Sequence, residues 1–140
     1  MGLTSKIVQA NSAAEPLNID ALSLDYKALD LPFRKELKID ERISLPIACL
    51  SLGNLKIGFL PGEPYVEFQL RYREAMLPNY AFVNGYSNGW AGYLPTSSAF
   101  KEGGYGADFF SGDPSPEFSR TQIQPGDGEV IINKLIELSN

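Results

Sequence analysis

Histidine is absent from this 140-residue sequence, and cysteine occurs once, at Cys49. Without an imidazole, no nucleophile can be activated by a histidine base, and no zinc centre of the usual His/Cys type can be completed from these residues alone. A lone cysteine forms no intramolecular disulfide. Cys49 lies in the apolar run ISLPIACLSLG, where a small buried side chain is the expected role. No apolar run approaches the roughly 20 residues of a membrane helix, so stable membrane insertion is not expected. The opening MGLTSKIVQA lacks the apolar centre of a signal peptide, and Lys6 stands where a myristoylation pattern needs Ser or Thr. There is no Asn-x-Ser/Thr sequon. These absences describe the 140 residues and not any longer polypeptide to which they belong.

Positive charge is also scarce. Twelve basic against seventeen acidic side chains give a net charge of −5, which opposes binding to phosphate backbones and to anionic membrane surfaces. Nucleic acid is therefore not an expected partner. With 44% apolar and 21% charged residues the composition is that of a globular protein. The length suits one domain at most, with a core that buries roughly two thirds of the unfolded surface.

Residues 1–20 lack a sustained period and read as a weakly ordered lead-in, with a short helix over 5–14. Residues 21–26 and 29–34 alternate apolar and polar positions and predict two short strands, followed by the charged connection KELKIDER. The apolar runs 43–52 and 55–60 are joined by Gly53-Asn54, a turn signal that predicts a hairpin. Residues 66–73 alternate strictly, which argues for a strand, yet Phe68, Tyr72 and Met76 also stand at helical spacing. Residues 80–83 predict a strand. The Gly/Ser/Pro/Asp-rich stretch after Phe100 up to Gln124 predicts a long loop. A final helix opens over 125–129 with Asp127 as N-cap, and buries Ile131, Ile132, Leu135, Ile136 and Leu138.

Most of the unusual chemistry lies between Leu60 and Tyr105. The strand KIGFL stops at Pro61-Gly62, and Glu63 and Pro64 follow. This places Glu63 at the carboxyl edge of a strand, where open α/β sheets keep their ligands. Pro64 suits the first position of a helix, which would make Glu63 an N-cap beside the positive end of the dipole. Two readings stand for Glu63: a metal-ligating carboxylate, or a capping side chain with a solvent-facing head. The stretch 84–105 combines Gly85, Gly89, Gly92, Gly103 and Gly104 with Tyr86, Trp90, Tyr93 and Tyr105. Glycines permit close backbone approach and aromatics supply rigid walls. Two readings stand here as well, a binding loop or a surface turn whose tyrosines pack on the core.

These two segments resemble the C-terminal part of the catalytic domain of the neutral/alkaline, non-lysosomal ceramidases and their bacterial ceramidase-like relatives. The first match is an apolar strand running into PGE, here Leu60-Pro61-Gly62-Glu63. The second is Gly92-Tyr93-Leu94-Pro95-Thr96, a GY-x-x-T element, followed by Tyr105 in GGYGA. The resemblance covers roughly residues 20–140. It implies an α/β fold (an α+β mixed sheet with flanking helices), residues 21–140 forming a fragment of a larger catalytic domain, and a helix over the ambiguous 66–73 stretch. The activity it implies is zinc-dependent hydrolysis of the N-acyl amide of ceramide or a related lipid. Glu63 and Tyr93 correspond to the family's glutamate and tyrosine zinc ligands, and Tyr105 to a tyrosine beside the substrate amide. The family's two histidine ligands come from upstream, so the implied partners are the upstream part of the same domain and a lipid amide substrate. The glutamate that usually follows the second tyrosine is replaced by Gly106.

Three expectations follow. Glu63 and Tyr93 come together in space. A sheet separated from the rest of its domain leaves an apolar face uncovered. The chain alone, lacking imidazoles, is inactive. The competing reading is a non-catalytic binding module that uses the 84–105 loop to recognise a lipid, sugar or peptide.

Overall fold

The computed structural model describes residues 2–17, 19–107 and 120–140. Its centre is the expected hairpin: β2 (Arg42–Leu52) and β3 (Leu55–Phe59) pair antiparallel around Gly53-Asn54, with Leu52 opposite Leu55. Where two strands are predicted over 21–34, a single eleven-residue strand forms instead, β1 (Leu22–Pro32). It pairs with β2 along its whole length, from Leu22 opposite Leu52 to Pro32 opposite Arg42. The Asp and Lys positions that read as a break merely turn their side chains to solvent, and the ladder continues through them.

Residues Val66–Ala75 form a helix, α2, despite their strict alternation. Phe68, Tyr72 and Met76 enter the core, while Val66 and Leu70 stay exposed. Tertiary packing thus selects one of two helical stripes, and the strand period is incidental. The helix starts later than Pro64 predicts. Glu63 and Pro64 form a two-residue strand, β4 (Glu63–Pro64), and Tyr65 is the N-cap. The cause is pairing: the Glu63 N–H donates to Gly92 O (2.9 Å) and the Tyr65 N–H to Leu94 O (3.1 Å), which keeps the segment extended. Pro64 reinforces this by disfavouring helical backbone at the residue before it. Glu63 is therefore not a helix cap.

Strand β5 (Tyr80–Asn84) adds to β3 in parallel, which makes a mixed four-stranded sheet in the order β1-β2-β3-β5. A second, two-stranded parallel sheet joins β4 to β6 (Tyr93–Leu94). A short helix, α3 (Ser97–Glu102), begins at Thr96, whose hydroxyl accepts a bond from the Ala99 N–H at 3.2 Å. The long loop predicted after Phe100 thus starts later, and residues 108–119 of it lie outside the described residues.

The last helix, α4 (Asp127–Ser139), is capped by Gly126 in left-handed backbone (φ 96°), one residue before the expected cap. Asp127 instead accepts a bond from the Gln124 N–H at 2.9 Å, and partial burial raises its carboxyl above the usual carboxylate range. Ile131, Ile132 and Leu135 are fully buried, with Ile136 and Leu138 packed partly against the core.

Helices α2 and α4 cover one face of the four-stranded sheet. Gly58 of β3 makes room for α4, since a Cβ there would stand 2.5 Å from Leu135 Cδ2. Cys49 of β2 is fully buried, and its thiol lies 3.6 Å from the Tyr72 hydroxyl, which in turn bonds Ser139 at 2.8 Å. Burial holds the Tyr72 phenol well above its ordinary value, so it stays neutral. The fold is a mixed α+β arrangement, a four-stranded sheet with flanking helices. At the amino end, α1 (Leu3–Ser12) buries none of its residues. Among the described residues, no helix is long and apolar enough to cross a membrane.

Candidate functional site

Strands β3 and β5 run in parallel, so their carboxyl ends, Phe59 and Asn84, share one edge. The chain leaving β3 and the chain leaving β5 are stitched together there. The Tyr86 N–H donates to Gly62 O (2.7 Å), Ser87 N–H to Leu60 O (3.0 Å) and Ala91 N–H to Pro61 O (3.0 Å). This stitching needs unusual backbone. Tyr86 (φ 54°) and Asn88 (φ 63°) are left-handed non-glycine residues, and a Cβ at Gly62 would run into Gly92 O. Left-handed conformations cost of order 1–3 kcal/mol each outside glycine, and they persist where the surroundings fix them, often at functional sites.

The consequence is a cluster of oxygens and rings. Glu63 and Tyr93 are register partners in the β4–β6 pair. The Tyr86 hydroxyl donates to Glu63 Oε2, and its ring stacks on Trp90 with centroids 5.1 Å apart. Tyr93 packs edge-on against Tyr105 (5.5 Å) and Tyr65 (6.3 Å). The Tyr65 hydroxyl donates to Tyr105 O at 2.8 Å, and the Arg120 guanidinium lies 4.0 Å from the Tyr105 ring centroid. Gly106 is required by this packing: its φ is 93°, and a Cβ there would meet the Tyr65 hydroxyl at 2.8 Å and Tyr93 Cγ at 3.0 Å. A glutamate at 106 would be strained by this backbone and would crowd both tyrosines.

The electrostatics follow from the packing. Burial, then hydrogen bonding with Glu63 and with Tyr105, raises the Tyr93 phenol well above the usual tyrosine range. Tyr86 is raised as well, first by its bond to Glu63. With their ionisation opposed in this way, both phenols are neutral donors. A bound cation would reverse that preference, because it favours the ionised oxygen.

All three residues singled out in the sequence thus fall in one cluster, Glu63 beside Tyr93 and Tyr93 beside Tyr105. The donor set tests the fit to zinc. A carboxylate and a phenol are suitable oxygen ligands, but a catalytic zinc needs three protein ligands, mostly nitrogen. Among the described residues, no group of three or more His, Cys, Asp or Glu stands together to hold a metal ion. Glu63 and Tyr93 by themselves do not make up a zinc site. Sequence reasoning did not single out the partners Tyr65 and Arg120. Tyr65 is one more aromatic beside the PGE motif, and Arg120 arrives from far along the chain through the pairing of Gly92 with Thr121 and the Tyr93 N–H bond to Arg120 O (2.6 Å). No local signal marks either.

No protein-family model matches this sequence, and no curated protein matches it. Among solved structures, the chain is similar to the crystal structure of neutral ceramidase from Pseudomonas aeruginosa, with a TM-score of 0.62 and 14% sequence identity. The alignment takes in 96% of this chain and 30% of that one. At this identity the likeness speaks for the fold: the chain has the fold of one part of a larger ceramidase chain.

Proposed function

We propose that this chain is one part of a zinc-dependent amidohydrolase of the neutral ceramidase kind, acting on the N-acyl amide of ceramide or a related lipid. The observation that carries the reading is the convergence of Glu63, Tyr93 and Tyr105, far apart in sequence, at the carboxyl edge of a sheet whose fold matches part of a neutral ceramidase. Glu63 and Tyr93 are the two oxygen ligands in this reading, and upstream histidines outside these 140 residues complete the set. Zinc, when bound, supplies polarisation of a carbonyl and activation of water. Tyr105, held against Tyr93 and under Arg120, donates a hydrogen bond to the amide oxygen as negative charge builds on it. Tyr86 holds Glu63 by its hydrogen bond and so fixes one carboxylate oxygen.

Ligand count makes the isolated chain inactive. Calorimetric zinc titration of the 140 residues should show weak binding, and no N-acyl sphingosine should be hydrolysed. A longer polypeptide carrying upstream histidines should bind zinc tightly and hydrolyse the amide, and lose activity in Glu63→Ala and in Tyr93→Phe. Micromolar or tighter binding by the short chain would mean that the site is complete without imidazole. Full activity in both substitutions would remove these residues from the mechanism.

One observation favours a second reading, a non-catalytic binding module. Tyr86 and Trp90 form a stacked pair that is largely exposed, 64% and 51%, and so offer a flat aromatic platform to a lipid, sugar or peptide. Ligand binding by the 140 residues alone, abolished in Trp90→Ala and indifferent to zinc, is the result that separates it from the first.

A further inference from the structure

The four-stranded sheet carries apolar residues on both faces, and α2 and α4 cover only one. Partners across a ladder share a face, and successive residues alternate. The register therefore lays Leu24, Leu50, Ile57 and Phe82 in one row across all four strands, on the face opposite Cys49 and Gly58. Parallel rows begin at Leu22 on one side and Tyr26 on the other, and none of the three rows contains a charged residue. At the two margins Leu24 is 67% and Phe82 44% exposed. Helices α2 and α4 meet the sheet through Tyr72 at Cys49 and Leu135 at Gly58, on the other side. An antiparallel-type sheet that faces water normally carries polar residues on that face. These rows have the composition of an interior.

We infer that this face is covered by a protein layer with an aliphatic inner surface, supplied by polypeptide outside these 140 residues. The inference rests on the proposed placement of the chain within a larger catalytic body, and it names the surface through which the two parts meet. Two observations choose this occupant. The alignment with the ceramidase takes in nearly all of this chain but 30% of the other, so a fold of this kind has a larger remainder that can supply a layer. The net charge of −5 disfavours an anionic lipid surface as the cover. The covered face also reaches the candidate site. Leu24, Tyr26, Ala48 and Phe59 line a shallow cavity of about 250 Å³ together with Asn88, which belongs to the loop carrying Tyr86 and Trp90. A layer seated on the face therefore meets the loop that carries Tyr86 and Trp90.

The test compares the 140-residue chain with the longer polypeptide encoded by its own reading frame, each as wild type and as Leu24→Lys/Phe82→Lys. The readouts are binding of the apolar dye ANS, molar mass by light scattering, and thermal unfolding. The short chain should bind the dye several-fold more strongly than its lysine variant; if it precipitates, the lysine pair should restore solubility. In the longer polypeptide dye binding should fall to background, and the pair should lower the melting temperature. A concentration-dependent dimer of the short chain that the pair dissolves would assign the face to a second copy. A short chain that is soluble and binds no dye would mean that its own segments close the face. A longer polypeptide indifferent to the pair, or a reading frame without further sequence, would also overturn the inference. None of these readouts involves zinc or hydrolysis, so failure here is distinct from failure of the metal reading.

Discussion

Glu63 and Tyr93 face each other as register partners of a two-residue parallel pair, although α2 and β5 lie between them in the chain. The pair is too short to be stable by itself, and it is secured from both sides. Glu63 donates its N–H to Gly92 O, while the Tyr93 N–H is taken by Arg120 O. The Glu63 carboxylate opposes ionisation of Tyr86 and, after burial, of Tyr93.

Replacing Glu63 by Gln removes the negative charge that opposes ionisation of its neighbours. The Tyr86 phenol, raised first by that contact, should fall toward the usual value of 10.0. Tyr93 should move less, because burial is the larger cause of its shift. Carbon-13 NMR titration of labelled tyrosines in wild type and Glu63→Gln measures both; a Tyr86 midpoint that does not move would remove the Glu63 contact from the account.

At the β5 edge, the Gln69 side chain stands in for a missing strand. Its Oε1 accepts from the Val83 N–H at 2.5 Å and its Nε2 donates to Ala81 O at 3.4 Å. A side-chain amide in this position blocks addition of another strand at that rung. In Gln69→Leu the Val83 amide should exchange with deuterium about five-fold faster, from loss of a bond whose net contribution is about 1 kcal/mol. Unchanged exchange at Val83 would show that the edge is protected by something else.

Gly128 sits where α4 crosses both α2 and the turn before α3. A Cβ there would stand 2.5 Å from Pro95 O and 2.7 Å from Phe68 Cζ, and neither a backbone oxygen nor a buried ring yields easily. Gly128→Ala should therefore destabilise by about 1–3 kcal/mol, despite the better helix propensity of alanine. Urea unfolding should show a lower midpoint at an unchanged slope; a midpoint equal to or above wild type would mean that α4 shifts freely.

Local chemistry alone placed the hairpin at Gly53-Asn54, the burial of Cys49, and the apolar stripe of the last helix. Each depends on a turn dipeptide or a side-chain period that acts over a few residues. The cluster of Glu63, Tyr93 and Tyr105 was suggested by the motifs, but its closeness comes from backbone pairing between distant segments. Periodicity could not choose between strand and helix for 66–73, since Phe68 and Tyr72 fit both. Burial of Tyr72 against Cys49 and Ser139 decided it. Nor could the sequence split or join β1 in the right way, because the eleven-residue ladder with β2 holds the chain extended through polar positions that read as an interruption. The start of α2 after Tyr65 was likewise hidden, since Pro64 suits a first helical turn as well as a strand. What moved the boundary is a pair of hydrogen bonds to Gly92 and Leu94, groups the local sequence cannot see. Sequence determined the short-range elements and the motifs they carry; tertiary structure decided which residues meet, because that depends on long-range pairing and burial.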